Sequence, residues 1–431
     1  MLNVWKKALT AGTSSLLLLA VLITAGGRTA EAAEATTPAQ IPQSDVFRIV
    51  TLGDSITAGY EPGMTDPNIK PYGYAERLLE QAWYHGRSAL SNYGILGLTT
   101  EGLRNYTEAI KDGAATLPDR IQIGISDPRI GQFAAQAPGV KSELAEADLV
   151  TITIGGNDVS SLLFQARDLT EADFNARVEQ VLAAYSVNVK AALENIRMVN
   201  PQATIMLADQ YQPASKLAAG PAYTKLMSAA ARFTANTEQV AASTTRDGAP
   251  VVVAHVASQF AGVEGPLTHI MRLEASDFHP TQLGYEKIAG VFAGLQWGQY
   301  RTPDATALAD TSAPMSIVVK GAELNTPNKP ILKNGQNFLA LRDILNAVGA
   351  EGKWDNKTSS ATITYGGRTV VITIGSKVVQ VNGRDVAIET PAFLQKAGKE
   401  DKTYLPLASL ATGLGFDVNY SSHLRTAFIN P

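Results

Sequence analysis

"VFRIVTLGDSITAGY", residues 46–60, decides how the rest of the chain is read. Its first half is a short run rich in Val, Ile, Leu and Phe, which predicts a strand buried on both faces, as in a parallel sheet. Its second half passes through Gly53, Asp54 and Ser55, the ordinary residues of a turn. Taken alone, the stretch is a strand feeding a turn. A reactive serine in that turn requires partners elsewhere: a base, a group to orient the base, and donors for an oxyanion.

Further runs of the same kind follow at "LVTITIG" (149–155), "ATIMLAD" (203–209) and "VVVAHVA" (251–257), and a strand also opens "LSNYGILGLTTEGL" (90–103). Between and after them, 74–84, 173–198, 222–242 and 282–295 show helical spacing, the second behind a cap at Thr170 and Glu171. Strand and helix alternating in this way predict an α/β domain over 45–300, a three-layer α/β/α sandwich around a parallel sheet.

The 431 residues are 45% hydrophobic and 18% charged, with a formal net charge of -4. That is more than one domain, and it offers no polyanion-binding surface, so nucleic acid is excluded as a partner. Lys6 and Lys7 precede an apolar stretch at 8–25 centred on Leu16 to Leu19, and small residues follow through Ala30, Glu31 and Ala32. This pattern predicts an export signal over 1–32, cleaved near Ala32 or Ala33. Thr, Ser and Gly interrupt the run, which sits at the lower edge of the ~20 apolar residues that a spanning helix needs. No cysteine is present, hence no disulfide and no lipid-attachable thiol. A protein secreted from, or held at the surface of, a bacterial cell is expected.

The alternation ends near Tyr300. "RTPDATALADTSAPMS" (301–316) is rich in Pro, Ala, Thr and Asp and predicts a linker over 301–315. Beyond it, "FLALRDILNAVGAEGKWDNKTSSATI" (338–363) and "YLPLASLATGLGFDVNYSSHLRTAFI" (404–429) align without a gap, matching Leu339 to Leu405, Gly349 to Gly415 and Trp354 to Tyr420. One supersecondary unit used twice follows, each copy a strand, a helix ended by Gly, and two more strands, so a small α+β repeat domain occupies 316–431. Between the copies, Asn382 and Gly383 mark a hairpin.

A base for Ser55 is offered by His279, in the loop "EASDFHP" before the last helix. His255 reads as a core histidine of an apolar strand, while His85 and His423 sit in polar element ends; His269 is the rival. Gly97 has no side chain to block its N–H. Asn157, at the end of a buried strand in "TITIGGND", is a short neutral donor. Ser55, Gly97, Asn157 and His279 all fall just past strands of one sheet, where open α/β sheets place their sites. Asp54 and Asp158 read as holders of turns and strand ends. The segments 61–74 and 113–139 are expected to shape the substrate pocket.

The order "GDS", "NYGILGLTT", "GGND" and "DFHP" ahead of "LGY" resembles the SGNH hydrolases, the GDSL esterase and lipase family, over about 45–300. The resemblance implies a flavodoxin-like sandwich and a serine esterase or lipase: Ser55 as nucleophile, His279 as base, and the Ser55 N–H, Gly97 N–H and Asn157 amide as oxyanion hole, with no metal or cofactor. The family usually carries an acid three residues before the histidine. Here that place holds Ser276, and Asp277 stands two before. Asp277 is the expected orienting group, with Ser276 or a backbone carbonyl as alternatives. The implied substrate is a simple, glycan or lipid ester. An acyltransferase acting on a sugar or polyol, and a non-enzymatic surface-binding protein, remain open as other readings.

The repeat after the linker resembles the copper amine oxidase-like N-terminal domain, a stalk module of exported bacterial proteins. With no cysteine and only His423, 316–431 holds no copper-ligand set. An accessory or spacing domain, contacting cell-wall polymer, is expected.

Overall fold

The computed structural model describes residues 46–64, 70–270, 277–304, 315–397 and 400–431. The expected export signal, most of the expected linker, and Ser276 lie outside the described residues.

Five strands form one parallel sheet: β1 (Phe47–Gly53), β2 (Ser88–Gly94), β3 (Leu149–Thr153), β4 (Thr204–Ala208) and β5 (Val251–Ala254), in the order β2-β1-β3-β4-β5. Helix α1 (Tyr74–Trp83) connects β1 to β2. Three helices lie between β2 and β3: α2 (Thr100–Asp112), α3 (Pro118–Ile121) and α4 (Ile130–Ala145). The next connections carry α5 (Gly156–Gln165) with α6 (Glu171–Val199), then α7 (Lys216–Ala219) with α8 (Tyr223–Thr244). After β5 come α9 (Ala257–Phe260), α10 (Glu264–Leu267) and α11 (Gln282–Trp297).

Each strand feeds both faces. Val50 and Leu52 of β1 and Ile205 and Leu207 of β4 pack with α2, α4, α6 and α8, whereas Ile49 and Met206 pack with α1 and α11. All five residues of β3 are buried, as a strand covered by helices on both sides must be. The expected sandwich is therefore present. The chain leaves β1 toward one edge and β3 toward the other, so the sheet's switch point lies between them. Gly53 pairs in register with Gly94 of β2 and Thr153 of β3, so the three following loops start at one level. Ligands of open α/β sheets bind in that crevice.

The segment 113–139 differs from expectation. Ile121, Phe133, Ala134 and Ala137 are buried in the core, and 130–139 belong to α4 even though Pro138 lies inside it. His255 also differs: β5 ends at Ala254, and the imidazole is half exposed, 3.5 Å from Asp209 and 3.8 Å from Glu238.

The C-terminal domain contains β6 (Ser316–Val319), β7 (Ala322–Glu323), β8 (Ile331–Lys333), β9 (Gln336–Ala340), β10 (Glu351–Asp355), β11 (Ser360–Tyr365) and β12 (Arg368–Thr373). It continues through β13 (Val378–Val381), β14 (Arg384–Ala387), β15 (Phe393–Ala397), β16 (Glu400–Pro406), β17 (Asp417–Ser421) and β18 (Thr426–Asn430). The expected repeat is visible as β9, a helix (Leu341–Val348), β10 and β11, then β16, a helix (Leu407–Gly413), β17 and β18. Leu339 and Leu405, matched by the repeat, pair with each other across antiparallel β9 and β16, so the copies meet about a local two-fold. The Asn382-Gly383 turn joins β13 to β14 with both residues at positive φ, 51° and 77°, as a two-residue hairpin of this twist requires.

This domain packs on the first. Val318 of β6 and Phe428 of β18 are buried against Tyr84, just after α1. Asn430 Nδ2 donates to the carbonyls of Trp83 (2.8 Å) and Gly86 (3.1 Å). The expected linker begins in a fixed position: Arg301 donates to the Gly321 carbonyl at 2.8 Å, and its guanidinium lies 4.1 Å from the Tyr84 ring centroid.

Candidate active site

The site begins where β1 ends. Gly53 has φ of 139°, and a Cβ there would run into the Thr153 carbonyl oxygen, so β1 and β3 approach as closely as they do only with glycine at this position. Asp54 then turns the chain: its N–H donates to Thr153 O at 3.1 Å, and its Oδ1 accepts the Ile56 N–H at 3.0 Å. Ala58 N–H closes on Asp54 O at 3.0 Å, and Tyr60 N–H on Ser55 O at 3.0 Å. This tight turn sets Ser55 at the carboxyl end of the sheet.

Ser55 Oγ lies 2.7 Å from His279 Nε2, and His279 Nδ1 lies 2.5 Å from Asp277 Oδ1. The same Asp277 oxygen accepts the backbone N–H of His279 at 2.8 Å. This is an Asx turn, in which a carboxylate folds back onto the N–H two residues on. It explains how an acid two places before the histidine reaches the ring: backbone and imidazole share one carboxylate oxygen. Burial pushes the Asp277 carboxyl up, but the hydrogen bonds from His279 and the nearby His279 and His269 charges outweigh it and hold it below the usual range. An ionised Asp277 only accepts, so Nδ1 carries the proton, Nε2 accepts, and the Ser55 hydroxyl donates to it.

The ring is confined from several sides. Tyr60 packs edge-on against it at 4.6 Å, and the Tyr285 hydroxyl fixes the Tyr60 carbonyl at 2.6 Å. Tyr211 donates to the Phe278 carbonyl at 3.0 Å. His269, the rival base, serves a different contact: its N–H donates to His279 O at 3.1 Å, and its Nε2 faces Glu61 at 3.5 Å.

Gly97 lies in the loop after β2 with φ of 79° and open space beside it. The loop is braced throughout. Leu96 N–H donates to Asp127 Oδ2 (2.8 Å), Gln122 Nε2 to Gly97 O (3.0 Å), and Thr99 N–H to Gln122 Oε1 (2.8 Å). Asn157, in the first turn of α5, donates from Nδ2 to Leu98 O at 2.8 Å. The neighbouring Asp158 accepts both the Thr100 hydroxyl (2.6 Å) and the Thr100 N–H (3.1 Å), so the loops after β2 and β3 are tied together. Asn157, with its remaining Nδ2 proton in the first turn of α5, and the Gly97 N–H, in the loop after β2, follow the two strands that pair with β1, and the dipole of α5 favours negative charge at its N-terminus.

Asp54 and Asp158 hold turns as the sequence suggested. Asp54 is nearly fully buried, and burial pushes its carboxyl up to about 7, past the opposing hydrogen bond from Ile56 N–H and the attraction of His279. Sequence reasoning did not single out Gln122, Asp127, Tyr60, Tyr211 or Tyr285. Only Asp127, in the turn "DPR" ahead of α4, carried a local signal.

Among the described residues, no group of three or more His, Cys, Asp or Glu side chains is arranged to hold a metal ion. Two spaces lie along α5, the helix that begins beside Asn157. One, of about 60 Å³, is lined by Val159, Leu163, Tyr211, Leu226 and Phe233. An adjoining cleft of about 250 Å³ shares Leu163 and Leu226 and adds Phe164 and Ile270, the residue after His269.

A family model described as GDSL-like lipase/acylhydrolase matches residues 49–292, more than half of the chain, and one described as copper amine oxidase N-terminal domain matches 318–429. No curated protein matches the sequence. Among solved structures, the chain is similar to an extracellular lipase from Streptomyces rimosus at 18% identity and a TM-score of 0.39, covering 57% of this chain and 98% of that one. It is similar to a phospholipase A1 from Streptomyces albidoflavus at 18% and 0.39, over 59% and 100% of the two chains. An acetylxylan esterase from Geobacillus stearothermophilus follows at 16% and 0.35, over 57% and 92%.

Proposed function

The chain belongs to the GDSL-like lipase/acylhydrolase family, and on that premise we propose that it is an exported serine esterase that hydrolyses carboxylic esters through an acyl-enzyme on Ser55. The observation that carries this reading is the hydrogen-bonded line from Ser55 through His279 to Asp277, with contacts of 2.7 and 2.5 Å. Ser55 Oγ attacks the ester carbonyl carbon while its proton passes to His279 Nε2. Asp277 holds the Nδ1–H tautomer and stabilises the imidazolium that forms. The carbonyl oxygen, now an oxyanion, takes hydrogen bonds from the Ser55 and Gly97 N–H groups and Asn157 Nδ2. His279 returns the proton to the departing alkoxide, releasing the alcohol. Water then attacks the acyl-Ser55 ester with His279 again as base, and the carboxylic acid leaves with Ser55 restored.

The Leu- and Phe-lined spaces along α5 support a substrate with an alkyl acyl group longer than acetyl. Leu163 and Phe164 lie on α5 nearly two turns beyond Asn157, so an acyl chain leaving the oxyanion hole runs along that helix. Ester substrates with short glycan-acetyl groups leave these surfaces unfilled.

The test is twofold. A fluorophosphonate labels the wild-type chain and not Ser55→Ala, and p-nitrophenyl octanoate is turned over with higher kcat/KM than the acetate. Absence of both labelling and hydrolysis refutes the esterase reading, and a preference for acetate refutes the acyl assignment alone. Lys6, Lys7 and the apolar 8–25 stretch support export. A mature N-terminus near Ala33 in culture supernatant checks it.

A further inference from the structure

We propose that the C-terminal domain is a positioning element of the catalytic site, acting through His423. The proposal deepens the esterase reading and rests on it for its kinetic arm.

His423 lies in the turn between β17 and β18, and its ring stacks on that of Tyr72, 3.5 Å between centroids and 3° from parallel. The Arg77 guanidinium lies over the same tyrosine ring at 4.2 Å. Two groups this close to one centroid cannot share a face, so Tyr72 is held between them. Below the stack, the Tyr72 hydroxyl donates to Glu80 Oε2 at 2.7 Å, and Ser421 of β17 donates to the other oxygen of the same buried carboxylate.

Arg77 carries the contact onward. Its Nη2 donates to Gln282 Oε1 at 2.7 Å and to Gln282 O at 3.3 Å, and Gln282 Nε2 donates back to Tyr72 O at 3.3 Å. Gln282 is the first residue of α11, three after His279. On the opposite side, the same loop is pinned by Thr281 N–H to Leu267 O (2.9 Å) and by His269 N–H to His279 O. His279 and Thr281 carry those backbone anchors themselves, and Gln282, the residue that Arg77 holds, follows directly. The C-terminal domain thus supports one of the contacts around His279, joining those of Asp277, Tyr60 and Tyr211, that hold the imidazole 2.7 Å from Ser55.

A stalk that merely spaces the enzyme has no need of this contact. Here the cation over one face and the aromatic ring against the other hold Tyr72 against α1, and the Arg77 fork that bridges Tyr72 to Gln282 stays ordered. Displacing a base by a fraction of an ångström is enough to lower the chemical step without touching substrate binding. His423 is therefore a positioning residue, not a catalytic one.

The experiment uses the full chain with His423→Ala and His423→Phe. Both changes fall at an exposed position of the turn, and equal thermal midpoints verify that the domains remain folded. In His423→Ala, kcat for p-nitrophenyl butyrate falls about tenfold with KM within about twofold of wild type, and amide exchange across residues 279–285 accelerates. His423→Phe, which keeps a stacking ring, restores both. Wild-type kcat or wild-type exchange in His423→Ala overturns the proposal, as does a Phe variant as impaired as the Ala variant. If the wild-type chain neither hydrolyses esters nor takes up a fluorophosphonate, the esterase reading has failed instead, and the exchange measurement alone decides the positioning role.

Discussion

Replacing Asp54 with Asn turns the buried carboxyl beside the nucleophile into a quantitative probe of the site. Asp54 is 1% exposed, and its carboxyl is raised from the ordinary 3.8 to about 7. Between those two values the unfolded chain has lost its proton while the folded chain keeps it, so the unfolded state binds fewer protons and stability falls as pH rises. Each unit of pH in that window removes about 1.4 kcal/mol. Starting at pH 5, where the unfolded carboxylate is already ionised, and ending at pH 8, where both states are, the cost to the wild type is about 3 kcal/mol. Asp54→Asn has no such titration, and its side-chain oxygen still accepts the Ile56 N–H that Asp54 accepts at 3.0 Å. Groups remote from position 54 titrate alike in the two proteins and cancel in the comparison. Urea unfolding of both at pH 5 and pH 8, followed by circular dichroism, therefore shows the variant gaining about 3 kcal/mol on the wild type over that interval. A difference that does not change with pH, or that moves toward the wild type, refutes the assignment of a protonated Asp54 next to Ser55.

The remaining predictions concern the turn and its partners. Asp277→Asn lowers kcat for p-nitrophenyl butyrate by up to ~10⁴, because an amide fixes the wrong imidazole tautomer, whereas Ser276→Ala leaves kcat unchanged; steady-state kinetics of the two variants decide between them. Asn157→Ala lowers kcat by ~10² to 10³ with little change in KM, as loss of one oxyanion donor does, and a parallel fall in the fluorophosphonate labelling rate checks it. Gly53→Ala, forced to a φ of 139° against the Thr153 carbonyl, costs more than ~1 kcal/mol, read as a lowered thermal midpoint.

Most of the parallel sheet was legible because its strands are short apolar runs, and Ser55 and Asn157 were legible because each follows such a run; Gly97 follows the less apolar β2, and His279 does not fall just past a strand as expected but lies beyond α9 and α10, directly ahead of α11. The structure brings Ser55, His279 and Asp277 into one hydrogen-bonded line and ties Gly97 and Asn157 into joined loops. What sequence could not show is how 113–139 is used. Pro138 and the exposed Leu117 and Ile123 blur the helical period there, while the contacts that matter, Gln122 and Asp127 on the Gly97 loop, join residues more than twenty positions apart. Local patterning carries no trace of such pairs. The docking of the two domains was hidden for a related reason. Val318 and Phe428 fit a strand pattern equally well whether they face their own domain's core or, as they do, Tyr84 of the other.

The Asx turn at Asp277 has a mechanical side. An acid and a base that come from separate elements can be pulled apart by a hinge and rejoined, so the pair itself can be switched. Here Asp277 Oδ1 grips the amide and the imidazole of one residue, and the two side chains travel as a single rigid tile. Any displacement of this loop therefore moves acid and base together, and the contact it changes is the one to Ser55.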